Sequence, residues 1–511
     1  MPENPLLREE RSLIRRPASH ATVRGVVLFP GPYTVGMSSL AVHSLYTLLN
    51  TGQIACERAF VETPRKSVFS LETDTLLRDF DFVAITSSYE IDWLGLPRAL
   101  QVSGIQPRRT ERSRRPLVLM GGPAVTAAPL PLSELYDAAL IGELEPVLAQ
   151  FREALLASDP AACLEQLAAV PGFYVPELHS RPAPGALQRR CALDLDAFEA
   201  VSAILTPHTE FANRFLVEMG RGCGRACAFC LARRAYHPLR WRSLPHLLAS
   251  VRRGLYHTTD LGLIAAAVSD YPDLDGLCHE LARLSLDLRV STSSVRLESA
   301  SPPFLRLLAR GGQQTVTYAP EAATERLRRA IGKPVTDDEI FAAIERALAA
   351  GLTRLRLYFM VGLPGETDDD REAIVTMARE LSGRFRQAHF RLNVGAFSPR
   401  PHTPFECQPM AHPRSVQSWI TALSHSLRPV KRVEVSAGSA RESALQCLLS
   451  RADERVLEAL CALPDEGLGT ALRGLRAVAG RELELLGPRG ATDPQPWKVV
   501  DFSCADTAIS T

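Results

Sequence analysis

Three cysteines stand within eight residues of one segment, and this spacing places three thiols on a single short loop. The segment reads C-x3-C-x2-C and contains Cys223, Cys227 and Cys230, with Phe229 directly before the last cysteine. Thiolates are the ligands that iron–sulfur clusters take, and three of them can hold three corners of a [4Fe–4S] cube. No fourth cysteine is adjacent. The pattern therefore predicts a cluster with one iron open to a further ligand.

A structural zinc site is the alternative interpretation of this loop. Zinc takes four tetrahedral ligands, which usually arrive as paired C-x2-C units. His237 stands near enough in the sequence to be a fourth ligand. The loop alone therefore leaves zinc open, and the rest of the chain favours the cluster.

Composition describes an ordinary globular chain of several domains. The chain has 511 residues, of which 46% are hydrophobic and 23% charged, and its net charge is +1. A charge so near zero gives no electrostatic case for nucleic-acid or membrane binding. No stretch approaches the ~20 apolar residues of a membrane-spanning helix. The start shows no signal-peptide pattern, and eleven cysteines in such a chain favour a reducing compartment, so we expect a cytoplasmic protein.

Apolar runs separated by helix-length segments predict an α/β fold with parallel sheets. We expect four regions, which are a Rossmann-like domain at 1–150, a helix and connector at 151–210, a partial (β/α)6 barrel at 211–412 and a mostly helical segment at 413–511. The strands predicted in the first domain lie at 24–30, 56–61, 82–88, 117–123 and 136–143. Those predicted in the barrel lie at 215–218, 261–265, 288–291, 315–318, 354–361 and 389–394. A short further strand is predicted near 433–436.

Small residues follow the predicted strands of the first domain. Ligands of open α/β sheets bind beyond the carboxyl ends of the strands. The candidate ligand-binding residues there are Gly36, Met37, Ser38, Ser87, Gly121, Gly122 and Gly142. The same glycine turns would also serve a Rossmann-like domain without a ligand, and that interpretation stays open.

The cysteine loop, with its aromatic residue before the third cysteine, resembles the cluster loop of radical S-adenosylmethionine (SAM) enzymes. The segments that follow the fourth and fifth barrel strands strengthen the resemblance, since they contain Glu321 and Gly362-Leu-Pro-Gly-Glu366. The resemblance implies that SAM binds the open iron, that Glu321 meets its ribose and that the backbone at Gly362 lies near the adenine. Glu321 taken alone is equally explained as an acid at a helix N-terminus. The SAM-binding residues that the resemblance implies are Phe229, Ser269, Asp270, Arg296, Glu321, Gly362 and Glu366.

One departure from the radical SAM pattern lies after the second barrel strand. Many members carry Gly-Gly-Glu there to hold the amino group of SAM, whereas this chain has Ala266-Ala-Val-Ser269-Asp270. Ser269 and Asp270 could substitute. Arg296, after the third strand, could contact the SAM carboxylate or be a surface arginine.

The N-terminal domain resembles the cobalamin-binding domain of cobalamin-dependent radical SAM enzymes, and within that group the chain resembles an uncharacterised branch. The resemblance rests on the loops around Gly36–Ser39, Gly121–Pro123 and Gly142–Glu143, and on the segment 397–405. It implies that the candidate residues of the first domain bind cobalamin. No D-x-H-x-x-G loop occurs, so bound cobalt would lack the histidine ligand that such a loop supplies.

The function implied by the resemblance is reductive cleavage of SAM at a [4Fe–4S] cluster to give a 5′-deoxyadenosyl radical, followed by cobalamin-dependent methylation of an unactivated carbon. One alternative is a radical rearrangement, oxidation or cyclisation without methyl transfer, and another is a non-catalytic cobalamin- or redox-sensing module. The expected partners are a small-molecule or biosynthetic-intermediate substrate and an electron donor such as flavodoxin or ferredoxin. Nothing in the sequence indicates nucleic acid. The residues that carry out the catalytic step are not identified by the sequence.

Overall fold

A mostly parallel sheet forms the centre of the N-terminal domain in the computed structural model. The structure describes residues 4–15, 20–292, 295–463, 486–490 and 492–503. The strands of this sheet are β1 Val23–Phe29, β2 Ile54–Phe60, β3 Phe82–Thr86, β4 Leu117–Gly121, β5 Ala138–Leu140 and β6 Phe173–Tyr174. They are ordered β2-β1-β3-β4-β5-β6, with only β6 antiparallel. Strand order therefore reverses between β1 and β3, the point at which doubly wound sheets bind ligands.

Helices cover both faces of this sheet, which is why its strands are mostly apolar, with the buried Glu57 and Arg58 of β2 as exceptions. The helices are α1 Pro5–Glu9, α2 Tyr33–Gly36, α3 Leu40–Leu49, α4 Leu96–Val102, α5 Pro123–Ala127, α6 Leu148–Leu155 and α7 Pro160–Ala169. Apolar side chains of α3, α6 and α7 pack on one face of the sheet. Those of α4 and α5 pack on the other face. The predicted strands are confirmed within a few residues.

The N-terminal domain extends beyond the predicted boundary at residue 150. Helix α7 buries Leu164 and Leu167 against the sheet, and β6 pairs with β5 through Leu140 and Phe173. The segment predicted as a helix and connector at 151–210 therefore contributes a helix and an edge strand to the first domain. Its later residues Ile204–Leu205 pair with Arg11–Ser12 near the chain start.

Seven parallel strands in two sheets form the second domain. They are β7 Phe215–Glu218, β8 Asp260–Ile264, β9 Arg289–Thr292, β10 Thr315–Glu321, β11 Arg354–Val361, β12 His389–Ala396 and β13 Val433–Ala437. Strands β7-β8-β9 form one sheet and β10-β11-β12-β13 the other. The helices between them are α8 Ala232–Ala235, α9 Leu244–Leu255, α10 Leu274–Leu284, α11 Pro302–Arg310, α12 Glu325–Ala330, α13 Asp337–Ala349, α14 Asp368–Arg384 and α15 Pro413–Leu427. One apolar core joins both sheets to helices α9, α10, α11, α13, α14 and α15.

The six strands predicted for 211–412 all appear among the described residues, and a seventh strand extends their second sheet. Strand β13, which the sequence placed in a separate C-terminal segment, pairs in parallel with β12. Helix α15 packs into the barrel core through Val416 and Ile420. This pairing covers the edge of β12, which would otherwise expose unpaired backbone groups. The sheet that begins with β10 therefore extends to residue 437, beyond the boundary at 412 that the sequence predicts.

The last described helices connect the end of the chain to the N-terminal domain. Helices α16 Ala440–Arg451 and α17 Val456–Cys461 bury Leu448 and Leu457 in the core beneath α4 and α5. Residues 464–485 and 504–511 of the predicted C-terminal segment lie outside the described residues. No described helix is both long and apolar enough to traverse a bilayer.

Candidate functional site at the domain interface

A cavity of about 610 Å³ lies where the carboxyl ends of the N-terminal sheet face the barrel. Thr86 and Gly121 line it from β3 and β4, while Arg221 and Ala265 line it from segments that follow β7 and β8. Both sheets therefore present their carboxyl ends to one space. The volume lies within the ~300–1,000 Å³ typical of cofactor and small-molecule sites.

Three of the predicted cobalamin-binding residues line this cavity, namely Gly121, Gly122 and Gly142. Gly142 has a φ of 112°, which L side chains rarely adopt. A Cβ there would lie 2.1 Å from the carbonyl oxygen of Arg190. Glycine at 142 therefore lets the chain at 190 approach the end of β5 and shape the cavity floor.

The other four predicted cobalamin-binding residues do not line the cavity, and their contact with cobalamin stays a prediction. They are Gly36, Met37, Ser38 and Ser87. The Met37 sulfur lies 3.4 Å from Nη1 of the buried Arg58, so this side chain belongs to the core. The Ser87 hydroxyl accepts a hydrogen bond of 2.8 Å from Trp93 Nε1. The cavity instead lies against 39–48, at the start and along the inner face of α3.

An apolar wall that the sequence analysis missed extends the cavity between the sheet and helices α3 and α6. It includes Leu45, Leu48, Ala84, Leu119, Leu140, Phe151 and Phe173. Ala84 is a small residue among larger apolar neighbours in β3. This contrast was the one signal in the sequence that a ligand could approach the sheet there.

The cysteine loop is held by backbone contacts with the segments after β10 and β12. The N–H of Ala228 donates to the carbonyl of Ile331 at 2.9 Å, and the Ala228 carbonyl accepts from Phe405 N–H at 3.2 Å. Gly332 has a φ of 73°. A Cβ at this position would lie 2.4 Å from the carbonyl oxygen of Ala226. The loop shape therefore depends on close packing that only a glycine at 332 permits.

The three thiols form a donor set that suits a three-thiolate cluster. Burial raises the pKa of the Cys227 thiol, while the ammonium of Lys333 acts to lower it. Burial also raises the pKa of Cys230, whose sulfur is hydrogen-bonded by the backbone N–H groups of Arg233 and Ala232. Both thiols also interact electrostatically with the third thiol, that of Cys223. These contacts supply the positive charge and N–H groups that stabilise bound thiolates.

The described residues contain no group of three or more His, Cys, Asp and Glu side chains placed to hold a single metal ion. Each thiolate of a [4Fe–4S] cube binds its own iron, so the cluster does not require its ligands to converge on one point. Tetrahedral zinc does require such convergence. The described residues therefore show no convergent group that would support zinc with His237 as the fourth ligand.

Three predicted SAM-binding residues from different segments lie together beside the cysteine loop. The Ser269 hydroxyl accepts from the backbone N–H of Arg296 at 2.8 Å. The Asp270 carboxylate lies 3.4 Å from Arg296 Nε and 3.5 Å from Nε of Arg225, which belongs to the loop. These contacts connect the cysteine loop to the carboxyl ends of β8 and β9.

Glu321 ends β10 in the left-handed region, with a φ of 69°. Its carboxylate lies 3.2 Å from Lys333 Nζ. Burial raises the pKa of Glu321, and the neighbouring ammonium opposes that effect. Lys333 is a residue that the sequence analysis missed, and its charge acts on both Glu321 and the Cys227 thiol.

The last three predicted SAM-binding residues lie at the carboxyl ends of β11 and of the cysteine loop. Gly362 follows β11, and its N–H donates to the Glu366 carboxylate. Arg371 Nη1 lies 3.3 Å from the same carboxylate, so Glu366 holds the turn, and its contact with SAM stays a prediction. Phe229 packs in a small apolar cluster with Leu363.

A buried ion network joins the two domains beside the cavity. Arg221, which lies between β7 and the cysteine loop, contacts Glu143 at 2.9 Å, Glu145 at 2.6 Å and Glu218 at 2.8 Å. Arg240 contacts Glu143 at 2.8 Å. Burial acts to raise the pKa of Glu143, but Arg221 and Arg240 hold that pKa below its usual range. The network fixes the β5 loop against the segment that leads into the cysteine loop.

Comparisons with known proteins identify two matched regions. Residues 41–176 match the family described as radical SAM proteins, N-terminal. Residues 217–378 match the radical SAM superfamily. An uncharacterised protein of Methanocaldococcus jannaschii is 29% identical over 443 residues, which cover 84% of this chain and 89% of that protein.

Two further matches cover different shares of the chain. The ribosomal protein uS12 methylthiotransferase RimO of Syntrophobacter fumaroxidans is 29% identical over 37% of this chain and 43% of its own length. The structure of the cobalamin-dependent S-adenosylmethionine radical enzyme OxsB, with aqua-cobalamin and S-adenosylmethionine bound, shares the fold. That match has a TM-score of 0.52 and 12% identity, and covers 90% of this chain and 71% of that chain. The protein therefore contains two regions that match radical SAM domains, at residues 41–176 and 217–378.

Proposed function

We propose that this protein uses cobalamin to methylate an unactivated carbon. The observation that carries the proposal is that one cavity is bounded by the carboxyl ends of strands from both domains. It adjoins the segment that leads into the cysteine loop, since Glu218 and Gly222 line it. A methyl donor held there would lie near both the cluster and the barrel interior.

The proposal gives each cofactor its own set of residues. Cys223, Cys227 and Cys230 would hold the cluster, and Asp270 and Glu321 stand where SAM would be bound. The cavity between the sheet and the barrel would hold cobalamin. When bound, the cluster supplies the electron that cleaves SAM into methionine and a 5′-deoxyadenosyl radical, and cobalamin supplies the methyl group.

The chain itself contributes positioning and the exclusion of water. The network around Arg221 fixes the β5 loop relative to the cysteine loop, so the two cofactor sites keep a constant separation. Lys333 compensates negative charge on Glu321 and on the Cys227 thiolate. Helix α3 covers the apolar wall and keeps that part of the cavity away from solvent.

Cobalamin binding is supported by the shape and lining of the cavity. The small residues Gly121, Gly122 and Gly142 leave room for a bulky ring at the sheet edge. No histidine occurs among the described residues that line this cavity. Cobalt bound there would therefore lack an imidazole ligand from the chain, as the absence of a D-x-H-x-x-G loop predicts.

Methylthiolation is the activity named for one relative, and two cysteines weigh against it here. Cys56 lies in β2 and Cys163 in α7, and both are buried in the apolar core of the N-terminal domain. Thiols in a packed core do not serve as ligands of a second cluster on a loop. Radical rearrangement, oxidation or cyclisation without methyl transfer is the second candidate, because the SAM-binding segments alone would suffice for it.

The test is a product analysis on protein reconstituted without oxygen, with iron, sulfide and hydroxocobalamin. A one-electron donor, such as dithionite or a flavodoxin or ferredoxin, would start the reaction with SAM. We expect both 5′-deoxyadenosine and S-adenosylhomocysteine, and we expect Cys227→Ala to form no 5′-deoxyadenosine. The exposed Cys461 supplies the control, Cys461→Ala. Formation of 5′-deoxyadenosine alone by the wild type would favour chemistry without methyl transfer.

A further inference from the structure

The four strands β10–β13 arrange their inward side chains in rows across the barrel. On β11, Leu355, Leu357 and Phe359 are buried in the core on the helix side. The alternate residues therefore face the barrel interior. Strand register sets Arg356 beside Arg391 and Tyr358 beside Asn393.

The row nearest the amino ends of these strands is strongly basic. A cavity of about 440 Å³ lies there. Its ionisable lining residues are Arg354, Arg356, His389, Arg391, Arg432 and Glu434. Four arginines therefore share this cavity with one carboxylate, which leaves an excess of positive charge.

Two of these arginines carry buried atoms without hydrogen-bond partners in the described structure. The Nε atoms of Arg356 and Arg432 are both buried and unpaired. Each such N–H loses hydrogen-bond energy unless a ligand accepts from it. Arg432 Nη2 donates a hydrogen bond of 2.7 Å to the Ser382 carbonyl, and this bond holds the guanidinium at the cavity rim.

We propose that this basic cavity binds an oxyanion, either a phosphate or a carboxylate, carried by the substrate. The planar guanidinium group donates two parallel hydrogen bonds to a pair of oxygens in either anion, and no other side chain offers this bidentate geometry. The assignment of this anion to the substrate rests on the proposed function. The anion site itself rests only on the arginines and their unpaired N–H groups.

The rows also set the size of the substrate. Arg356 and Met360 are four residues apart on β11, which corresponds to about 13 Å along a strand. Between them lies the uncharged row of Tyr358, Asn393 and Ser436, in which the Asn393 Oδ1 atom is buried and unpaired. A substrate anchored by its anion at the amino end therefore reaches toward the cysteine loop through a hydrogen-bonding middle section. Its anion and reacting carbon are about 13 Å or more apart.

Strand polarity separates this cavity from the interdomain cavity. The N-terminal sheet faces the carboxyl ends of the barrel strands, and the basic cavity lies at their amino ends. The substrate therefore enters from the end of the barrel opposite to cobalamin.

The experiment measures anion binding by calorimetry on the reconstituted protein without SAM turnover. Inorganic pyrophosphate and citrate are the two probes, and they distinguish a phosphate from a carboxylate. We expect millimolar or tighter binding of at least one probe, weakened about tenfold or more by Arg356→Gln combined with Arg391→Gln. Arg356→Lys keeps the positive charge, so it should weaken binding less than Arg356→Gln, although it loses the bidentate hydrogen bonds. It also supplies a milder variant if the double variant folds poorly.

Arg283→Gln on α10 is the matched control, since this side chain is 70% exposed. It should bind the probes as the wild type does. Absence of binding by the wild type, or equal binding by the double variant, would overturn the inference. Failure of SAM cleavage would instead contradict the proposed function, because calorimetry does not depend on turnover.

Discussion

The guanidinium of Arg240 lies 2.8 Å from the carboxylate of Glu143, and each side chain is 7% exposed. Glu143 follows the last parallel strand of the N-terminal sheet, and Arg240 lies in a short strand that pairs with Gly220–Arg221. A buried pair of this kind is costly to break, because removal of one charge leaves the other in an apolar setting. The contact therefore fixes the geometry between the two halves of the interdomain cavity.

Replacement of Glu143 by glutamine should strongly destabilise the protein. The change leaves Arg240 and Arg221 without one shared carboxylate, and we expect a loss of about 3 kcal/mol in the free energy of unfolding. Urea unfolding measures this loss. Glu134→Gln is the control, since Glu134 is 45% exposed and pairs with Arg108 at 2.6 Å. It should cost no more than about 1 kcal/mol, and equal losses in the two variants would contradict the assigned role of Glu143.

The free energy of unfolding should decrease as the pH is lowered, and His402 should cause part of this decrease. Its Nε2–H donates to the Ala127 carbonyl at 2.9 Å, and burial lowers its pKa from 6.5 to about 4. Between these values the unfolded chain binds a proton that the folded chain does not, so stability decreases as pH falls through this window.

We expect His402 to account for about 2 kcal/mol of the stability lost between about pH 7 and about pH 5. Urea unfolding of wild type and His402→Asn at both pH values measures this contribution. The variant should lose less stability over the window than the wild type. Parallel pH profiles would show that His402 does not titrate in this way.

Local patterns in the sequence predicted the strands well, because parallel strands buried on both faces are mostly apolar. Strand β11 appears at its predicted bounds, and β1 lies within one residue of them. The sequence also indicated a strand at β13. It did not reveal the partner of that strand, since pairing depends on how α15 returns the chain to the edge of β12.

Contacts between distant residues were the part that the sequence could not predict. Glu143, Arg221 and Arg240 are far apart in the chain, and nothing local marks them as partners. Glycine turns were also ambiguous. Gly36 packs closely against the Phe60 ring, whereas Gly142 shapes the cavity, and both have the same appearance in the sequence.

Glu321→Gln should weaken SAM binding. The change removes the negative charge that pairs with Lys333 at 3.2 Å and that would accept hydrogen bonds from the SAM ribose. Hydrogen bonds to charged groups are worth enough for a rise of about tenfold in the KM for SAM. The control is Glu345→Gln, since the Glu345 side chain is 54% exposed and pairs with Arg384. An unchanged KM in Glu321→Gln would remove Glu321 from the SAM site.

A large side chain at Ser44 should block cobalamin. Ser44 lies on the inner face of α3 and lines the cavity, whereas Thr47 on the same helix is exposed and does not. We expect Ser44→Trp to lose corrin retention because the indole fills the space beside the sheet. Thr47→Trp should retain it. Equal retention, measured by absorption after desalting of both folded variants, would place cobalamin elsewhere.

The central claim is that the interdomain cavity holds cobalamin beside the cluster. Its most direct measurement is the cobalt content of wild-type protein that was reconstituted without oxygen, equilibrated with hydroxocobalamin and desalted. The structure, with one such cavity per chain among the described residues, predicts close to one cobalt per chain, with corrin absorption in the same fraction. Protein that cleaves SAM but retains no cobalt would contradict the claim.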